Sequence, residues 1–500
     1  MARLSMATAA ALVCMNISSI AAAQEPRLVR DASADTAPVG AVVHVLQSEI
    51  LGEARRISVA TPASYETSGP DRRYPVIIAF DGEYKHTAVI DAARYLAAEG
   101  QIPECLVVGV DNVAGPTERV YDLTPPGLSV SGSDREQGGE RFLDFLELEL
   151  VPALARQFRA GPPNVLVGHS SGGVLATWAA ATRPGAYPFV VAIDTPTNLD
   201  RGWLADRFIE RAARAPVRFL RYASLESRFG WSDDHWAALL AAAPATWKLY
   251  REKLDHETHN SMKLLATYVG LREVFADYSM LAAPDSPTSA ALEHYRKYNE
   301  ASGLDLVPPR SLLERIIEDL LMEGRADLAG GALDALVDGY GDVPRVDDLH
   351  RRIAEAAALP PLEATVEDLL ATPMPTADQI APFLGEWRGE TGNRDRHDMK
   401  PAVLRLQIND GRAAGEWIVS PEPGVELVRP LQYLTVVDGG LHFGVMNGMR
   451  PRGMLVFEGV LRDDVLEGEM RMRGIRFEMP PGMSPPVISF TLRHERSGAR

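Results

Sequence analysis

Between Val42 and Asp277 short apolar runs alternate with amphipathic stretches, which predicts strands and helices alternating in an α/β sheet. The sharpest runs are Pro75 to Phe80, Cys105 to Val110, Asn164 to Gly168, Phe189 to Asp194 and Val217 to Ala223. They are apolar at successive positions, so both faces need cover, as in a parallel sheet packed between helices. Helical periodicity fits His86 to Glu99, Gly139 to Phe158, Gly173 to Thr182 and Trp203 to Ala213, with Pro184 and Pro216 closing the last two.

The pattern changes twice further on. From Ser286 to Leu370 helical spacing takes over, with Leu312, Leu313, Ile316, Ile317, Leu320 and Leu321 forming an apolar stripe. Leu320 to Leu336 resembles one degenerate tetratricopeptide-type helix pair, which cannot bury its own face and should pack on a neighbour. After a Pro-rich linker at Thr372 to Thr376, strands are expected at Ala402 to Gln407, Ala413 to Val419, Leu441 to Met446 and Gly453 to Gly459, divided by Gly, Asp and Asn turns. The expected fold is therefore an α/β sheet flanked by helices over residues 24–284, a small helical (TPR-like) segment over 285–371 and an all-β, barrel-like domain over 377–496.

The N-terminus adds a location. Arg3, the apolar stretch Ala7 to Ile20 and Ala21-Ala22-Ala23 read as the n-region, h-region and cleavage site of a signal peptide over residues 1–23, so a secreted or periplasmic mature chain starting at Gln24 is expected. Cys14 leaves with that segment, and the mature chain then keeps Cys105 alone, with no internal disulfide. Leu12-Val13 before Cys14 lacks the small residue of a lipid-anchor signal. No later stretch is long and apolar enough to span a bilayer. With 500 residues, 46% hydrophobic, 24% charged and a net charge of −17, the chain has the balance of a folded soluble protein and no basic run to follow a phosphate backbone, which sets nucleic acid aside.

The chemistry centres on Gly168-His169-Ser170-Ser171-Gly172, which follows a predicted strand and precedes a predicted helix, the context of a nucleophile elbow. Ser170 is the expected nucleophile. Its hydroxyl needs a base later in the chain, and of His235, His256 and His259 the choice is His259, in the loop Glu257 to Ser261 with Ser261 as helix N-cap and His256 in reserve. The orienting carboxylate is expected past the strand Val217 to Ala223, at Glu226, with Asp233 and Asp234 as alternatives. Backbone N–H groups of Ser171 and Glu83, the latter in the Asp81-Gly82-Glu83 turn, are the expected oxyanion donors.

These stretches, with Tyr74 to Glu83, Val108 to Asn112, Arg119-Val120-Tyr121-Asp122-Leu123-Thr124-Pro125 and Glu257-Thr258-His259, resemble the esterase branch of the α/β-hydrolases that includes enterochelin esterases, S-formylglutathione hydrolase, some feruloyl esterases and mycolyltransferases. The resemblance covers roughly half the chain and implies an acyl-enzyme mechanism with a glutamate upstream of the histidine; Glu226 precedes His259 by 259 − 226 = 33 residues. It also implies substrate contacts from Arg119 in the R-x-x-D-L-T-P loop, and Asp81, Gly82 and His169 are further candidates. Arg119 binding a carboxylate or phenolate and Arg119 tying down its loop are both open. Ile193-Asp194-Thr195-Pro196 departs from the Ser-Pro-Ser-Trp-like segment of siderophore-type relatives. Phe383 to Gly389 resembles the opening strand of a lipocalin-like barrel.

The expected function is hydrolysis of a small-molecule carboxylic ester, with no metal, no organic cofactor and no membrane span. Acyl transfer to an alcohol or sugar, or a catalytically silent scaffold, are the alternatives. The barrel could cap the cleft, take a hydrophobic ligand or mediate a homodimer.

Overall fold

The computed structural model describes residues 25–31, 38–112, 116–129, 137–196, 199–211, 218–224, 237–279, 288–341, 344–446, 453–476 and 487–495, apart from single positions 239, 242 and 244. The expected leader over 1–23 lies outside them. The chain divides into two compact units, Met1–Ala282 with Tyr295–Pro309, and Ala283–His294 with Arg310–Arg500.

The first unit holds β1 (Leu28–Arg30), β2 (Val42–Ser48), β3 (Glu53–Ala60), β4 (Tyr74–Phe80), β5 (Leu106–Val110), β6 (Ala160–His169), β7 (Phe189–Ile193), β8 (Arg218–Ser224) and β9 (Lys248–Leu254) in one sheet, ordered β1-β2-β3-β5-β4-β6-β7-β8-β9. From β5 to β9 all pairs are parallel. The expectation of a parallel sheet does not extend to β1–β3, which pair antiparallel and join β5 antiparallel. Every residue of β4 and β5 is buried, which is why these strands read as continuous apolar runs. By contrast β9, Lys-Leu-Tyr-Arg-Glu-Lys-Leu, is a polar edge strand and carries no such signal.

Packing against this sheet places the helices. Helix α1 (Gly82–Ala98) follows β4, α2 (Pro116–Asp122) follows β5, and α5 (Ser171–Thr182) follows β6. On one face Val76, Ile78 and Phe80 of β4 share a core with Phe142, Leu146, Leu175 and Trp178. The helix expected over Gly139 to Phe158 is three pieces: α3 (Gly139–Asp144), a π-helical stretch (Phe145–Leu150) and α4 (Val151–Phe158). Pro152 has no N–H to continue the regular ladder, and the widened turn carries Glu149 inward. There it accepts from Ser48 Oγ and from the N–H groups of Glu49 and Ile50, pinning the β2–β3 hairpin. After β7 and β9 come α6 (Trp203–Arg211) and α7 (Met262–Val274).

From β4 the chain steps to β5 on one side and then to β6 on the other, so the strand order reverses between β4 and β6. A crevice at the carboxyl ends of the strands is expected where connections diverge in this way. Those two ends are Phe80 and His169.

Part of α8 (Thr288–Ser302) belongs to each unit. In the second unit the apolar stripe lies buried on α9 (Arg310–Met322), and a turn through Gly324 leads to α10 (Ala326–Tyr340), then α11 (Val346–Ala357). Helices α12 (Val366–Leu370) and α13 (Ala377–Ile380) follow, the latter opened by a capping box of Thr376 and Gln379. The helical segment packs on the β domain, with Arg473 paired to Glu363, Thr365 bridging Gly474, and Leu369 against Met454 and Val456.

Among the described residues the β domain is a nine-stranded antiparallel sheet, β10 (Gly385–Asn393), β11 (Asp398–Asn409), β12 (Arg412–Glu422), β13 (Val425–Pro430), β14 (Tyr433–Val437), β15 (Gly440–Met446), β16 (Met454–Arg462), β17 (Val465–Arg473) and β18 (Ile488–His494), in the order β13-β12-β11-β10-β18-β17-β16-β15-β14. Its edge strands, β13 and β14, are consecutive in sequence, and the residues joining them bond to both sides, Leu431 N–H to Gly415 and Gln432 N–H to Gly444. The sheet therefore curls into a barrel-like form. Trp417, Phe443, Phe457 and Phe490 fill its interior, with Phe443 and Phe457 stacked at 4.8 Å. Trp387 adds an indole N–H bond to Phe383.

Candidate active site

Ser170 stands between β6 and α5 with φ 57° and ψ −122°, outside the regions open to most side chains. The turn survives because its neighbours hold it: Ser170 N–H donates to Ile193 O and its carbonyl accepts from Val174 N–H. A Cβ on Gly168 would lie 2.2 Å from Gly172 O, so this position requires glycine. Sequence context and backbone geometry thus agree on a nucleophile elbow.

His259 follows β9. Ser261 stands at the N-cap of α7 as expected, but its side chain caps no N–H of the helix. It forms a reciprocal pair with Thr258 instead, in which Thr258 Oγ1 accepts from Ser261 N–H and Ser261 Oγ accepts from Thr258 N–H, and the two bracket the turn that carries His259. The His259 carbonyl accepts from His169 Nε2–H at 2.6 Å, and the two imidazoles approach to 4.4 Å. The residue before Ser170 therefore holds the histidine loop, and His169, a substrate-contact candidate in the sequence, is buried in this role. His256 is exposed.

His259 Nδ1 lies 2.7 Å from Asp194 Oδ2, with Asp194 4% exposed. A carboxylate can only accept, so Nδ1 carries the proton and Nε2 is the ring's basic nitrogen. Asp194 closes β7 with φ 42°. Sequence patterning assigns Asp194 to the end of a strand, whereas it stands on the turn after β7 and bonds the His259 ring. The available signal was its position at the end of the strand beside the elbow strand, in the chain order serine, aspartate, histidine. Glu226, Asp233, Asp234 and His235 lie outside the described residues.

On the other side of the elbow, Ser171 is the first residue of α5 and Glu83 the second of α1. Amides of a first helical turn lack intrahelical acceptors, and the adjacency of β4 and β6 brings these two helix starts to one sheet end. Asp81 caps α1 in the left-handed region, φ 57°. A Cβ on Gly82 would meet Asp111 Oδ1 at 2.7 Å, so the close approach of the β5 loop depends on this glycine. Asn112 Nδ2 donates to Asp81 Oδ1 at 2.8 Å and to Glu83 Oε1 at 2.7 Å, while Asn112 N–H meets Glu83 Oε2. Burial, reinforced by Glu83 and opposed by Arg56, pushes the Asp111 carboxyl up to about 6.

Arg119 places Nε and Nη2 on the two oxygens of Asp81, and Nη1 3.2 Å from Ser171 Oγ. One turn on, Asp122 pairs with the buried Arg55 of β3. The R-x-x-D stretch thus ties α2 to the β4 turn at one end and to β3 at the other, which is the loop-tying reading of Arg119 weighed from the sequence.

Residues 48–282 match the family model described as "Putative esterase". That part of the chain belongs to this esterase family. The chain is 30% identical over 154 residues to a siderophore triacetylfusarinine C esterase of Aspergillus fumigatus, covering 28% of this chain. The chain spans about half the length of that curated relative, 51%. Among solved structures it is similar to an IroE-like serine hydrolase from Shewanella oneidensis, at 26% identity and a TM-score of 0.48, covering 63% of this chain and 100% of that one. A second is the siderophore hydrolase EstA from Aspergillus nidulans, at 20% identity and a TM-score of 0.38, covering 45% and 90%.

Proposed function

We propose that this protein is an exported serine carboxylic ester hydrolase that works through an acyl-enzyme, with Ser170 as nucleophile, His259 as base and Asp194, in place of Glu226, as the orienting acid. The observation that carries the reading is the His259–Asp194 hydrogen bond at 2.7 Å on a loop tied to the residue preceding Ser170.

Ser170 Oγ attacks the ester carbonyl carbon while its proton passes to His259 Nε2, and the carbonyl π pair moves to oxygen. The Ser171 and Glu83 N–H groups bind that oxyanion. When it collapses, the C–O bond to the alcohol breaks and the alkoxide takes the proton from His259. Water then attacks the acyl-serine, again losing its proton to His259, and the second collapse frees the acid and restores Ser170. Asp194 holds the Nδ1–H tautomer and stabilises the imidazolium formed in each half-reaction. Export rests on the leader composition of residues 1–23.

A fluorophosphonate probe followed by mass-spectrometric mapping tests the assignment. A single adduct on Ser170 is expected; an adduct elsewhere, or none, would remove Ser170 from the mechanism. Substrate panels should include triacetylfusarinine C, the ester named for the fungal relative.

A further inference from the structure

We propose that Arg119 is a positioning residue of the oxyanion hole: it joins the two turns that supply the donors and cancels the Asp81 charge beside them, and it does not bind substrate. The proposal rests on the esterase reading above.

Three observations carry it. Asp81 is 1% exposed and directly precedes Gly82-Glu83, so a carboxylate lies buried behind one donor. Its Oδ2 is 3.6 Å from where a Cβ on Gly172 would sit, which sets the same carboxylate against the start of α5, behind the other donor. All three guanidinium nitrogens of Arg119 are engaged there, Nε and Nη2 on Asp81 and Nη1 on Ser171 Oγ, the side chain of the residue whose amide is the second donor.

The chemistry follows from charge. The reaction creates a negative oxygen between these helix starts, and an uncompensated carboxylate in a water-poor site would oppose it. A bidentate arginine removes that opposition and also sets the distance between the two turns, because the fork is planar and rigid. Lysine would supply the charge without the fork. Asp81 in turn supplies what the strained turn needs, since its carboxylate accepts from both Arg119 and Asn112.

The test is a double-variant cycle on p-nitrophenyl butyrate hydrolysis, using Arg119→Met, Asp81→Asn, the double variant and Arg119→Lys in the full chain. Arg119→Met should lower kcat by about 100-fold, the scale of losing one oxyanion donor, with KM little changed. The double variant should recover at least about 10-fold of that loss, because neither charge remains, and Arg119→Lys should fall between wild type and Arg119→Met. A raised KM with unchanged kcat in Arg119→Met, or a double variant no faster than Arg119→Met, would overturn the proposal in favour of substrate binding. If Arg119→Met does not fold, Asp81→Asn against the double variant decides: similar kcat/KM supports the positioning role, and a further loss of about 10-fold or more in the double variant refutes it. Failure of the esterase reading itself looks different, since wild type would then neither turn over the ester nor react with fluorophosphonate.

Discussion

Asp194 and His259, 65 residues apart, meet through a 2.7 Å hydrogen bond in which one partner is buried and the other is about a third exposed. This is the asymmetry that the proposed roles require, a buried orienting acid and a base whose ring stays accessible.

Asp194→Asn keeps the shape and loses the charge that selects the tautomer. We expect kcat on an activated ester to fall by roughly 10³- to 10⁴-fold, while Glu226→Gln stays near wild type. Steady-state kinetics on the two variants, side by side, distinguish the acids.

His169→Phe preserves a buried ring but removes the Nε2–H donor to His259 O. Turnover should drop by about 10-fold, the lower end for a misplaced base, with thermal stability reduced by about 1 kcal/mol for the lost bond. Parallel kcat and Tm measurements check both parts.

One buried group and one half-buried group give opposite pH signatures. Burial holds His86, bonded to Ser58 and Val107, down to about 4, whereas Asp111 is pushed up to about 6. Below its unfolded pKa near 6.5, His86 favours the unfolded state increasingly until pH 4, a loss of about 3 kcal/mol. Asp111 takes up its proton in the folded state first, so it adds a similar amount of stability between pH 6 and its unfolded value near 3.8. The two nearly cancel in wild type. Melting curves from pH 7 to 4 should therefore show Asp111→Asn losing stability relative to wild type as pH falls, and His86→Gln gaining it.

Trp417 sits at the centre of the barrel's aromatic cluster, 4.6 Å from Phe457 and 5.3 Å from Phe443. Trp417→Ala should destabilise the second unit by about 3–5 kcal/mol. Calorimetry would record this as a lower melting transition.

The sequence disclosed most clearly what is written in unbroken apolar runs and glycine spacing: β4, β5 and the Gly168–Gly172 turn could be read directly, and so could the place of His259 in the loop before α7. Features that depend on tertiary placement were less accessible. Asp194 reads as a strand end because its left-handed backbone leaves no trace in composition, and β9 reads as polar chain because an edge strand need not be apolar. The start of α1 at Gly82, not His86, reflects a helix begun by the constrained Asp81 turn, where apolar periodicity has not yet set in. Likewise, the helical segment and the barrel looked separate because Leu369, Met454 and Val456 are distant in sequence and meet only in the fold.

Hydrolysis of p-nitrophenyl acyl esters by wild-type protein and Ser170→Ala tests the central claim most directly. The account predicts turnover in the wild type and a loss of roughly 10⁵- to 10⁶-fold in the variant, with correct folding of both confirmed by circular dichroism. Equal rates in the two proteins would contradict it.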